Sequence, residues 1–246
     1  MFFLKKLFVN VTTPSPWGRI GMGVVFILSL ASALVSCSED EKEWDPYYNW
    51  QARNEAWFRT VADSARTAIA SAKKQYGDQW QQHSQWLMLK RLDQSQSYDT
   101  GRLDDSICVR IISRGTGDYS PVWSDSVRIS FRGWMMPTTY RIRNDQDQLV
   151  DSLQQLVFTQ TYYGAFDPET AAPQLSPVNP FVTGFNTALQ YMVAGDDWLV
   201  YVPARLAYDS SAKDQIPAYS TLAWRIHLAA IYPAGIGVPT WKIRKK

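Results

Sequence analysis

The chain has 246 residues, with 25 basic and 23 acidic side chains, two histidines and two cysteines. His83 and His227 stand far apart with no cysteine beside either, which excludes a histidine-rich zinc site. No phosphate-cradling glycine loop is present, and no cofactor is implied.

In chain order, Lys5, Lys6 and Arg19 precede an apolar run from Ile20 to Val35 that ends Leu34-Val35-Ser36-Cys37. A basic start, a short apolar stretch and a small residue before cysteine form a secretory signal. The L-V-S-C ending resembles a bacterial lipobox, with cleavage before Cys37 and lipidation of its thiol. A transmembrane anchor would need about 20 apolar residues, and this run is shorter and interrupted by Ser29, Ser32 and Ser36. Several acyl chains on one cysteine hold a protein to a membrane where one chain would not. Removal of residues 1–36 takes three bases and no acid, leaving 22 basic against 23 acidic residues. The apparent basic balance belongs to the signal, so nucleic-acid binding has no electrostatic support. Cys108 is then the sole remaining thiol, which excludes an internal disulfide. It lies in an alternating strand and reads as a small buried hydrophobe.

Residues 37–48 form a charged tether, Ser38-Glu39-Asp40-Glu41-Lys42-Glu43, either a solvated spacer or an address for the outer face of the outer membrane. Residues 49–100 read as a helical extension. From Asn49 to about Tyr76, Trp50, Ala56 or Trp57, Val61, Ala65, Ala68 and Ala72 form the apolar side, opposite Arg53, Glu55, Asp63, Arg66 and Lys73. Gly77 ends the helix. The stretch from Trp80 to Asp93 is open between a strand and a second helix.

Beyond residue 101 the period changes. Ile107, Val109 and Ile111 alternate with other residues, as do Val127, Ile129 and Phe131 within Asp125–Gly133, so both segments read as strands. Between Gly133 and Phe158 a polar run, Arg141 to Asp151, reads as a long hairpin or surface loop. Phe185, Ala188, Leu189 and Met192 form a short helical stripe, and Gly195 is placed to cap it. Trp198 to Val202 is a buried strand closed by Pro203. In the last strand Leu222, Trp224, Ile226 and Leu228 alternate with Ala223, Arg225 and His227, which gives a sheet with one apolar face.

The order of these pieces carries a resemblance. G-F-x-x-A-L-x-x-M-x-x-G-D from Gly184, V-P-x-x-L-A-Y from Val202 and I-P-x-x-S-T-L from Ile216 resemble the C-terminal half of the FKBP-type peptidyl-prolyl isomerases. Upstream, R-G-T-G-D-Y-S-P (Arg114–Pro121) resembles the family's turn before its first long strand, and D-S-V-R-I-S-F-R-G (Asp125–Gly133) resembles that strand. The likeness spans roughly Asp105 to Ile231, with the 133–158 interruption.

The resemblance implies an α+β fold: an antiparallel sheet wrapped on one short helix across residues 101–232, followed by a tail at 233–246. It implies a proline pocket with Phe185 as floor and Phe158, Phe131 and Trp224 as walls. Phe181 and Val182 stand at the rim, the Val182 N–H and the Tyr208 hydroxyl bind substrate carbonyls, and Ile216 caps the opening. Two segments compete for the family's F-D-x-S motif, Phe158–Thr161 and Phe166–Glu169. The first is favoured, which puts Thr159 where the family has an aspartate. Phe131 stands for a tyrosine, Asp209 for a glycine and Phe181 for a smaller valine. Each implied residue also has a plain core-packing reading, since aromatic side chains bury large areas in any fold.

The implied activity is prolyl isomerisation of extracytoplasmic polypeptides by a protein lipid-anchored in a bacterial envelope. The rival is a non-catalytic, proline-binding or chaperone-like lipoprotein with the same fold. In some isomerases of this family an N-terminal helical part forms a homodimer. Here one helix leaves two readings, dimerisation or packing against the domain through Trp57 and Phe58, with packing favoured.

Overall fold

The computed structural model of the protein describes residues 44–92 and 101–241. Helix α1 (Trp50–Tyr76) is followed by a single turn, α2 (Trp80–His83), and by strand β1 (Trp86–Lys90). The 80–93 stretch, open between helix and strand in the sequence, thus holds both, and the 49–100 extension is not purely helical.

The strands are β2 (Ser106–Ser113), β3 (Ser126–Met135), β4 (Thr138–Arg143), β5 (Leu149–Gln154), β6 (Val157–Gln160), β7 (Gln174–Pro177), β8 (Asp197–Val202) and β9 (Leu222–Tyr232). They build an antiparallel sheet in the order β1-β2-β8-β9-β3-β6, with β7 pairing the first half of β3. The longest ladder joins β3 to β9, from Ser126 opposite Tyr232 to Met135 opposite Leu222. β4 and β5 form a separate hairpin, the structure of the long interruption between Gly133 and Phe158.

One face of the sheet wraps helix α3 (Thr183–Tyr191). Phe185, Ala188, Leu189 and the following Met192 are buried against Val200, Val202, Ile226 and Leu228, a single apolar core. The period-2 pattern of the strands and the 3.6 period of α3 agree on which side faces in. Gly195 does not cap α3. The helix ends at Tyr191, and Gly195 takes φ +94° four residues later, in a turn that presses on Gly115.

The other face of the sheet is covered by α1. Phe58, Ala62 and Ala65 pack on Cys108, with Trp86, Met88 and Tyr201 around them. Trp57 meets Tyr201 edge to face at 5.8 Å. The buried stripe runs Trp50, Asn54, Phe58, Ala62, Ala65 and Ala72; it departs from the sequence reading at Asn54, which has no place there, and of the alternatives Ala56 and Trp57 it is Trp57 that packs on the core. Ala56 is exposed, while Asn54 is fully buried because it carries hydrogen bonds rather than apolar surface. Cys108 is completely buried, and burial pushes its thiol up to about 12.

Candidate functional site

Five elements converge on a cavity of about 650 Å³, a size ordinary for a small-ligand site. β3 contributes Phe131, β6 contributes Phe158 and Thr159, and β9 contributes Trp224. The start of α3 adds Pro180, Phe181, Val182 and Phe185, and the loop after β8 adds Tyr208, Asp214, Gln215 and Ile216. All nine sequence-derived pocket residues line this one cavity, whereas Cys37 lies outside the described residues.

The rings form a continuous cage. Phe185 is buried at the centre, 5.7 Å from Phe131, 5.6 Å from Trp224 and 4.4 Å from Phe181 between centroids. Phe158 stands edge-on to Trp224 at 5.4 Å. Edge-to-face contacts of this kind fix ring orientation as well as burying area. Gly133 makes the arrangement possible, because a Cβ there would sit 2.4 Å from the Trp224 indole nitrogen and 2.8 Å from Phe158.

The register of β6 decides between the two aromatic candidates. Thr159 pairs with Gly133, which carries Phe158 into the cage beside Trp224. Phe166 instead lies 5.0 Å beneath the Arg225 guanidinium and 5.2 Å from the His227 ring. Arg225 in turn makes a 2.7 Å ion pair with the buried Asp197 carboxylate. Asp167 accepts a bond from the Glu169 N–H, so D-P-E-T is a turn.

Two residues of this lining carry hydrogen-bond donors. The Val182 N–H, at the residue preceding α3, and the Tyr208 hydroxyl have no hydrogen-bond partner among the described residues. Asn186, which sequence reasoning missed, braces the rim. Its buried side chain donates to the Phe181 carbonyl at 2.8 Å and fixes the turn that presents Val182. Pro180, Asp214 and Gln215 were also missed. Gln215 reaches from the loop to the Val157 carbonyl at 3.4 Å, and Asp214 is the only carboxylate on the lining among the described residues. Pro180 adjoins Phe181 in sequence, a usable signal, but nothing local marks the two loop residues.

Asp209, the substitution for glycine, has φ +51°. This is left-handed backbone, which favours glycine and which aspartate tolerates better than most residues.

A second cleft, of about 730 Å³, lies on the α1 side of Asp209, lined by Glu55, Phe58, Arg59, Arg102, Asp104 and Arg205 among others. Its charges largely answer one another: Arg102 pairs with Asp104 at 2.6 Å and Arg205 with Asp105 at 2.9 Å. The hydrogen bond from Arg102 holds the Asp104 carboxyl below its ordinary value. This lining is polar and charged, whereas the ring cage is mostly apolar. Among the described residues, no cluster of His, Cys, Asp or Glu could hold a metal ion.

A sheet wrapped on one helix, with an aromatic cage at the helix's start, makes this an α+β domain with one ring-walled cavity. Residues 118–229 match the family described as FKBP-type peptidyl-prolyl cis-trans isomerase, and over that stretch the chain is similar to its members. Over 133 residues, 54% of the chain and 47% of the relative, it is 30% identical to a Legionella longbeachae protein named outer membrane protein MIP. A Trypanosoma cruzi protein named macrophage infectivity potentiator is 26% identical over 140 residues, 56% of the chain and 60% of the relative. The chain thus spans about half the length of these curated relatives. FkpA from Escherichia coli, a solved structure, aligns with a TM-score of 0.40 at 17% identity, covering 76% of the chain and 70% of FkpA.

Proposed function

We propose that the protein is a peptidyl-prolyl cis-trans isomerase acting on proline-containing polypeptides, held at a bacterial envelope by a lipid on Cys37. The observation that carries the catalytic part is the five-ring cage with two unpartnered donors at its edge. The reaction needs no nucleophile. A peptide bond rotates over a barrier of about 18–20 kcal/mol because amide resonance must be lost. An X-Pro bond starts with little preference between isomers but still interconverts slowly.

Within the cage, Phe185 and Trp224 receive the pyrrolidine ring and exclude water from the amide. A dry site favours the twisted amide, whose charge separation is reduced, and donors aimed at carbonyl oxygens hold the chain while the bond turns. The Tyr208 hydroxyl and the Val182 N–H are the donors on offer. Phe131, Phe158, Thr159, Phe181 and Ile216 shape the walls, rim and cap.

The non-catalytic reading rests on a specific substitution. Thr159 stands where the resembled pattern has a carboxylate, and the one carboxylate on the lining among the described residues, Asp214, is exposed at the opening. A protease-coupled assay on a proline peptide separates the two readings. Acceleration proportional to protein concentration supports the enzyme; binding without acceleration supports the proline-binding module. The anchor reading rests on the L-V-S-C sequence and agrees with the outer-membrane name of the Legionella relative. Fatty-acid labelling in cells tests it: wild-type protein is labelled and Cys37→Ala is not. Labelling that survives the substitution rejects Cys37 as the acceptor.

A further inference from the structure

The loop that carries Tyr208 and Ile216 is gripped at its far end by α1, an element outside the 118–229 family match. Asn54 is fully buried, and its orientation follows from its partners. Its Nδ2–H donates to the Trp50 carbonyl at 2.8 Å, and its Oδ1 accepts from the Thr221 N–H at 2.9 Å. The Thr221 hydroxyl donates to the Asn54 carbonyl at 3.3 Å. One turn earlier, the Trp50 indole N–H donates to Ser220 Oγ at 2.9 Å, and the Ser220 hydroxyl donates to the Pro217 carbonyl at 2.6 Å. Pro217 directly follows Ile216, the cap of the pocket.

The grip continues to Tyr208. The Tyr219 N–H donates to the Asp209 carbonyl at 2.6 Å, and the Asp209 N–H donates to Ala204 at 2.8 Å. Asp209, Asp214 and Tyr219 all have positive φ, between 51° and 61°. Non-glycine residues hold such backbone only where the surroundings over-determine it. Here the surroundings at the Tyr219–Thr221 end are supplied by α1. The start of α1 lacks a side-chain cap and is itself braced by the inserted hairpin, where Arg53 donates to Thr138 Oγ1 and Tyr140 to the Tyr47 hydroxyl at 3.2 Å.

We propose that Asn54 and Trp50 are positioning residues for the proline site: α1 acts through Ser220 and Thr221 to hold the 208–216 loop in the shape that aims Tyr208 and Ile216 at the substrate. The proposal rests on the pocket reading above, yet it concerns loop geometry and can be measured without turnover. Nothing local in the family-like segment marks this dependence, because the polar partners lie some 167–170 residues away in sequence.

The test uses the whole chain with Asn54→Ala and Trp50→Phe, and Ala65→Gly as a control. Ala65 lies on the buried side of α1 against Cys108, about three turns beyond Asn54. All are compared at a temperature where each stays folded. Methyl NMR reads Ile216 in the loop against Ile129 in β3. The Ile216 signal should shift and broaden in Asn54→Ala and Trp50→Phe, stay in place in Ala65→Gly, and leave Ile129 unmoved throughout. The kcat/KM for a proline peptide should fall about tenfold in Asn54→Ala and stay near wild type in Ala65→Gly. An unmoved Ile216 in both helix variants overturns the proposal, as does equal loss in Asn54→Ala and Ala65→Gly. Absent turnover in wild-type protein would strike the isomerase reading alone, because the methyl readout would still decide the positioning claim.

Discussion

The two faces of the sheet are closed in opposite ways. Under α1 the fully buried contact is made by Ala62, Ala65, Cys108 and Phe58, with the half-buried Trp86, Met88 and Tyr201 closing around them. On the α3 side the core is filled by Leu189, Met192, Ile226 and Leu228, but at the helix's start the filling stops. Five rings in contact with one another wall a cavity of about 650 Å³. Interiors normally pack to the density of organic crystals; here the packed core gives way to a cavity open to solvent, with the exposed Asp214 and Gln215 on its lining. The α1 face carries a small closed contact; the α3 face carries the main core and, at the helix's start, an open site.

Substitutions can break that contrast, and the largest effect belongs to the cage floor. Phe185→Ala should cost about 3–5 kcal/mol of stability and abolish isomerisation in the protein that remains folded. A denaturant melt paired with the protease-coupled assay checks both, and a surviving rate would move the pocket elsewhere. Phe58→Ala, on the opposite face, should cost a similar 3–5 kcal/mol yet leave KM of the folded fraction within about twofold. If KM rises as it does for cage variants, the faces are not distinct in role.

Tyr208→Phe sharpens the contrast further, since it removes one donor and no volume. With a net hydrogen bond worth about 1 kcal/mol, kcat/KM should fall roughly fivefold while the melting temperature stays unchanged. The smallest effect lies on the outer side of β9. Burial lowers the His227 imidazole below its ordinary value of 6.5, and its Nδ1 has no partner. A depressed histidine is neutral when folded and takes up a proton on unfolding. Its contribution is therefore complete above the ordinary value and is lost as pH falls through the depressed one. His227→Leu should flatten the stability profile below about pH 6.5 relative to wild type, with no change in activity at neutral pH.

The cage was legible because its members sit on regular elements. Phe131 and Trp224 fall on the apolar phase of two strands, and Phe185 falls on the helical stripe. Phe158 was legible as one of two options, since choosing it over Phe166 depended on the register of β6 against Gly133. Asn54 was not legible. A polar residue on an amphipathic helix reads as solvent-facing until its partner, Thr221, is brought to it by the fold. Gln215 and Asp214 were hidden for a related reason: loop residues have no period, and only the chain's return toward β6 places them at the opening.

The most direct test of the cage as a proline site is two-dimensional NMR with a proline peptide present in both isomers. The chain has 11 tryptophans, so bulk fluorescence would not resolve Trp224, whereas its indole N–H gives one assignable signal. Binding at the cage should shift that signal on peptide addition, and exchange peaks between the cis and trans peptide should grow with protein concentration. A Trp224 signal that stays in place while residues of the charged cleft beside α1 shift would contradict the account.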